Sequence, residues 1–167
     1  MRGVYVLELG NGMRYIGSSR NVPQRIQDHY RGLGSGLTKE FGVRKSTIPL
    51  TQPIADLALW EQKETLTQMK CYGFDKVRGS CWTYKNSLTS NDREMIRKLI
   101  IHGDGRCWSC GNIGHTVTSC YAKSKAKWLV ELERGLNKSN MLCERCGRKS
   151  HNINNCYANT HISGKLL

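Results

Sequence analysis

The sequence predicts an α+β fold: a small N-terminal domain with a three-stranded antiparallel sheet flanked by helices, followed by two small Cys/His modules. Three observations carry this. Residues 2–17 have the composition of two strands joined by the tight turn Gly10-Asn11-Gly12. Helix-like segments with recognisable caps follow that hairpin. The spacing Cys-x2-Cys-x4-His-x4-Cys then occurs twice, at 107–120 and 143–156.

Residues 2–9, Arg-Gly-Val-Tyr-Val-Leu-Glu-Leu, are rich in strand-forming residues, and Met-Arg-Tyr-Ile-Gly at 13–17 returns as the partner strand. Asn21 and Pro23 open a helix through Tyr30, with Gly32 just past its end. Arg25 and His29, four residues apart, project from one face of it. The glycine-rich stretch 32–42 reads as loop, and 44–50 as the third strand. A long helix over 54–72 is closed by Gly73, with Leu59, Leu66 and Met69 at helical spacing. Residues 88–101 read as a further helix, capped by Thr89 or Ser90 with Asp92 in its first turn. Met95, Leu99 and Ile96 are expected to pack it onto the N-terminal core. Residues 102–106 form a linker. After the first Cys/His module comes the basic run Lys123, Lys125 and Lys127. Trp128, Leu129 and Leu132 then form a short helical stripe stopped at Gly135, with Trp128 packed against a module.

The 167 residues hold 26 Lys and Arg against 13 Asp and Glu, a net charge of +13. The excess is spread along the chain and favours a polyanionic partner, because each cation that meets a phosphate releases condensed counterions. No apolar run approaches the ~20 residues of a membrane span, and no export leader is visible. The expectation is an intracellular, non-secreted protein without a membrane role. In that setting the regular spacing of six of the eight cysteines favours metal over disulfides. Cys71 and Cys81 are left over as buried or idle thiols.

Three thiolates and an imidazole make a closed tetrahedral zinc site, structural because no position is left for water. The expected ligands are Cys107, Cys110, His115 and Cys120 in the first module and Cys143, Cys146, His151 and Cys156 in the second. Segments this short bury no core, so two structural zinc ions have to supply most of their folding energy. Gly111 and Gly147 allow the tight turn after the second cysteine. The pattern resembles the zinc knuckles of retroviral nucleocapsid proteins and of many RNA-binding proteins. The resemblance implies that Trp108, just after the first cysteine, stacks a base of a single strand. The second copy departs from the family at Glu144 and Ser150. There, Arg145, Arg148 and Lys149 are the candidates for phosphate contact.

In the N-terminal part, Gly3-Val4-Tyr5 and Tyr15-Ile16-Gly17 stand on the two hairpin strands, their tyrosines ten residues apart. Arg25 and His29 follow on a helix, and Glu61 on a later one. This ordered set resembles the GIY-YIG nuclease family over residues 1 to about 80. Trp60-Glu61 followed by Thr65 resembles a GIY-YIG subgroup that also carries zinc knuckles, which favours Glu61 over Glu64. The family often ends its core with an asparagine; here Val77-Arg78-Gly79 stands in that region. The chain then divides into a GIY-YIG nuclease-like domain at 1–86, a packing helix and linker at 87–103, and a first knuckle at 104–121. A basic helical linker at 122–140, a second knuckle at 141–158 and a tail at 159–167 complete it.

The resemblance implies a metal-dependent endonuclease acting on nucleic acid. Glu61 would hold one catalytic divalent ion, Mg2+ for preference, since a hard cation accepts carboxylate, phosphate and water together. Arg25 would clamp the scissile phosphate. Tyr5 would be the general base, its pKa lowered by the metal and Arg25, with Tyr15 and His29 completing a hydrogen-bond chain. Taken singly, each of these residues reads better as packing or a solvated surface; it is the ordered set that favours the nuclease. The other readings are a non-catalytic nucleic-acid-binding protein with a degenerate GIY-YIG fold, and an adaptor whose knuckles contact protein.

Overall fold

A computed structural model describes residues 1–50, 56–137, 145–146, 158–160 and 163–164. They fall into two compact units, Met1–Leu88 and Thr89–Leu167. Among the described residues no helix is long and apolar enough to cross a membrane.

The first unit is built on a four-stranded sheet of order β3-β1-β2-β4, with β1 Gly3–Leu9, β2 Arg14–Ser19, β3 Val43–Leu50 and β4 Val77–Arg78. β1 pairs antiparallel with β2 and β3, so the hairpin occupies the middle of the sheet. β4 pairs parallel with β2 at Arg14 and Tyr15. The sheet is therefore mixed and four-stranded, not three-stranded and antiparallel as expected. A two-residue strand is too short to show the alternation by which strands are read.

The hairpin register sets Tyr5 opposite Gly17 and Leu7 opposite Tyr15. Because side chains alternate, these residues share one face, whose core is Tyr5, Leu7, Leu9, Tyr15, Val22, Ile26 and Leu37. The helices over it are α1, Val22–Tyr30, and α2, Gly36–Phe41. α2 lies inside the stretch expected to be loop. Its flanking glycines hid it, but Ser35 caps it, Leu37 and Thr38 are buried under it, and Gly42 ends it at φ +65°. The opposite face carries buried Val4, Val6 and Ile16 and contacts α3, Leu57–Tyr72. Asp56 caps α3 by accepting from Leu59 N; residues 54 and 55 of the expected helix lie outside the described residues. α3 buries Thr65 and Met69, whereas Leu59 is exposed.

In the second unit α4, Ser90–Asp104, starts from a capping box in which the Thr89 and Asp92 side chains satisfy each other's backbone amides. It buries Ile96, Ile100 and Ile101 and contacts α5, Lys127–Asn137. Met95, expected to be a packing residue, is exposed. α5 runs through Gly135 rather than stopping there, and it buries Leu129 and Leu132.

Candidate active site and Cys/His cluster

Tyr5 and His29 meet beneath the first unit's surface. Tyr5 is 1% exposed, His29 1% and Tyr15 8%. The Tyr5 hydroxyl lies 2.8 Å from His29 Nε2, and His29 Nδ1 lies 2.8 Å from Thr38 Oγ1. Thr38 Oγ1 donates to the Ser35 carbonyl at 3.0 Å, so it accepts from His29. That network assigns the imidazole proton to Nδ1 and leaves the Nε2 lone pair for the phenol proton. Both tyrosine rings tilt against the imidazole, with centroids 5.5 Å (Tyr5) and 5.4 Å (Tyr15) away.

Two glycines make the room. A β-carbon at Gly17 would lie 2.4 Å from the Tyr5 hydroxyl, and one at Gly34 would lie 2.0 Å from His29 Nδ1. Gly34→Ala is accordingly expected to push the imidazole off Tyr5 and Thr38 and to destabilise the fold by about 1–3 kcal/mol. A urea midpoint unchanged from wild type would contradict this.

The charges are arranged around this buried pair. Burial pushes the Tyr5 phenol up to about 12; Tyr15 and Glu61 add to the rise, and a hydrogen bond and positive charge from Arg25 oppose it. Tyr15 is raised by burial and by Glu61. Burial, with the Arg25 charge, holds His29 down at about 4. Tyr5 is thus not an easily ionised base in the protein alone, because burial outweighs Arg25; the expected lowering calls for the metal as well as Arg25. Its hydroxyl donates a hydrogen bond to a neutral imidazole.

Arg25 is half-buried one turn before His29. Glu61 enters from α3. Its Oε2 accepts from Ser18 Oγ at 2.7 Å and its Oε1 from Ser80 N at 2.8 Å. Each oxygen keeps a lone pair, as a hard cation requires. Glu64 Oε1 instead accepts from Gln68 Nε2 at 2.7 Å, and Gln68 in turn accepts from Arg14. Of the two glutamates, Glu61 is the one whose charge acts on both buried phenols. Ser18, Ser35, Thr38 and Ser80 escaped the sequence reading. Serine and threonine are common in turns and strands, and nothing in their spacing marks them.

A strand-borne tyrosine pair, an arginine and histidine on the first helix and a glutamate on a later one are thus gathered in one unit. Residues 1–65 match the family model of the GIY-YIG catalytic domain. Nucleases make up this family in general; they use divalent metals and act on nucleic acid. The chain matches no curated protein and no solved structure.

Beyond the GIY-YIG domain, Cys107, Cys110, His115 and Cys120 bring one ligand atom each to within 4.8 Å of one another. Cys110 Sγ and His115 Nε2 are 3.2 Å apart. A tetrahedral zinc with bonds of about 2.3 Å to sulfur needs sulfurs roughly 3.8 Å apart, so the donor set fits the ion. Gly111 and Gly114, at φ +79° and +93°, make the turns that fold the donors inward. Burial pushes the Cys107 thiol up, but the amides of Cys110 and Ser109 outweigh it and bring it to about 7. The Asn112 amide pulls Cys110 down, yet burial and the neighbouring thiols leave it raised. Such crowding of acidic thiols is relieved by a cation.

The cluster is built into its surroundings. Trp128 stands over Gly111, where a β-carbon would fall 2.9 Å from its ring, and Ala126 N donates to the Cys110 carbonyl at 2.7 Å. Trp108 is half-buried. Arg97 of α4 lies over its ring at 4.8 Å and donates to its carbonyl at 2.8 Å, and the His102 ring meets it edge-on at 5.2 Å. A groove of about 410 Å3 runs past Trp108, lined also by His102, Arg106, His115, Val117 and Thr118. In the second repeat, Cys143, Arg148, Lys149, His151 and Cys156 lie outside the described residues; Cys146 is buried and Arg145 exposed.

Proposed function

We propose that the protein is a metal-dependent endonuclease that hydrolyses phosphodiester bonds in nucleic acid, with zinc-loaded Cys/His modules holding the strand. The observation that carries this reading is the buried contact of the Tyr5 hydroxyl with His29 Nε2, beside Arg25 and within the field of Glu61. When bound at Glu61, a divalent ion, Mg2+ for preference, neutralises phosphate charge and reverses the field that Glu61 imposes on the phenols. The remaining work belongs to the side chains. Arg25 pairs with the scissile phosphate through its planar fork. The attacking water gives its proton to the Tyr5 oxygen as Tyr5 passes its own to His29 Nε2. A water–phosphorus bond forms, the bond to the leaving oxygen breaks, and that oxygen takes a proton from solvent. A phosphate on Arg25 cancels one of the two influences that hold His29 low, so the substrate strengthens its own base.

The groove beside Trp108 suits a single strand. The indole offers a stacking face in a module already backed by Arg97, and a stacked base is worth about 1–3 kcal/mol. A zinc site of three thiolates needs its cysteines reduced, which fits the intracellular compartment we propose.

The test is a panel of single-stranded, branched and duplex substrates with Mg2+. Wild type is expected to cut at least one, Glu61→Ala to bind without cutting, and Trp108→Ala to cut with weaker binding. A wild type that binds the panel and never cuts leaves a non-catalytic binding protein. A Trp108→Ala variant that binds as tightly as wild type removes the groove from the interface.

A further inference from the structure

The two donors on Glu61 lie outside the tyrosine, arginine, histidine and glutamate pattern. Ser18 follows Gly17 on β2 and, by alternation, turns to the α3 side of the sheet. Ser80 is 19 residues beyond Glu61, in the turn between Gly79 and Trp82. Its φ is +52°, and it is the only non-glycine residue in the left-handed region among the described residues. A side chain there is strained, and strain of this kind persists only where the surroundings over-determine the backbone.

The surroundings do so from every side. Gly79 N donates to the Trp82 carbonyl at 3.0 Å and Trp82 N to the Gly79 carbonyl at 2.9 Å, closing the turn on Ser80 and Cys81. Trp82 is 1% exposed. Gly79 lies flush on its neighbours: a β-carbon there would fall 2.5 Å from Thr65 Oγ1 and 2.9 Å from Ile16. Thr65 Oγ1 itself donates to the Glu61 carbonyl at 2.7 Å, so the turn is seated on the same helical turn that carries the carboxylate. Arg78, 2% exposed, reaches main-chain carbonyls on both sides of the turn. Nη1 donates to Val77 at 2.8 Å and Phe74 at 3.2 Å, Nη2 to Asn86 at 2.8 Å and Nε to Tyr84 at 3.1 Å. A buried guanidinium engaged with these oxygens shapes a loop.

We propose that the Ser18 hydroxyl and the Ser80 amide together orient Glu61 for a divalent ion, and that Arg78 is the positioning residue that holds the Ser80 turn in place. The inference rests on the reading of Glu61 as the metal-binding carboxylate. Two donors, one on each oxygen, remove the carboxylate's rotational freedom and decide which lone pairs face outward.

The test uses the zinc-loaded full chain titrated with Mn2+, with binding read from water proton relaxation and folding from the melting temperature without Mn2+. Outer-shell partners of metal ligands typically matter by about 10–100-fold in affinity. Ser18→Ala is therefore expected to weaken Mn2+ binding by about tenfold with little change in melting, Ser18→Thr to restore it, and Arg78→Lys to weaken it likewise. Glu61→Gln should abolish binding. If Glu61→Gln loses Mn2+ while Ser18→Ala binds as wild type, the positioning role is overturned and the ligand reading stands. If Glu61→Gln binds Mn2+ as wild type does, the ligand reading itself fails. The Ser18 pair decides the matter even where Arg78→Lys does not fold.

Discussion

Tyr5→Phe is expected to lower the cleavage rate by about 10²–10⁴-fold, the range in which a positioned proton-transfer group contributes. The change removes one atom from a packed site. Phenylalanine keeps the ring that packs with Leu7 and Tyr15, and His29 keeps its bond to Thr38. What disappears is the route from the attacking water to His29 Nε2. A bystander tyrosine would leave the rate within a few-fold of wild type, and that result would end the proton-relay mechanism. The pH behaviour is a second readout on the same pair. His29 titrates at about 4 in the fold against 6.5 in an open chain. Below 6.5 the unfolded chain takes up a proton that the folded protein refuses. Stability from this group is therefore complete above 6.5 and lost as pH falls towards 4. The shift corresponds to at most about 3 kcal/mol. Urea midpoints at pH 7 and 4.5 should diverge less in His29→Gln than in wild type, and equal divergence would contradict the buried neutral imidazole.

Cys110→Ser is expected to cost the chain one zinc ion, if the proposed site at Cys107–Cys120 is loaded, and to melt the region around that cluster. Structural zinc in small modules contributes on the order of 10 kcal/mol near neutral pH, far more than a segment of this length recovers by packing. The damage should spread. The Cys110 carbonyl accepts from Ala126 at the entrance to α5, Trp128 rests on Gly111, and Arg97 of α4 holds Trp108. Loss of the ion should therefore lower helical ellipticity as well as zinc content, and it should expose amides of α5 to hydrogen exchange. Metal analysis showing the same zinc content in wild type and Cys110→Ser would overturn the assignment. Unchanged ellipticity after zinc loss would show that the helices stand without the ion.

Local features account for what could be read in advance. The hairpin, the first helix with Arg25 and His29 on one face, the Thr89 cap and the repeated Cys/His spacing are each written within a few turns of chain. There, periodicity, capping and ligand geometry operate between near neighbours. The short helix over Gly36–Phe41 was local as well, but glycines masked its cap. The balance of influences on the Tyr5 phenol lies beyond the sequence for another reason. Spacing places Arg25 near the phenol but says nothing of how deeply the phenol is buried, and burial dominates.

By itself, then, the sequence determined the α+β class, the paired strands that carry the two tyrosines and the four Cys/His side chains that cluster at Cys107–Cys120. Only the tertiary structure decided that β4 joins the sheet in parallel and that Tyr5 faces His29 Nε2. It alone decided that Ser18 and Ser80, 43 and 19 residues from Glu61, take hold of its carboxylate. The physical reason is range. A hydrogen bond between distant residues leaves no period in the chain, because its geometry exists only once the sheet and helices have packed.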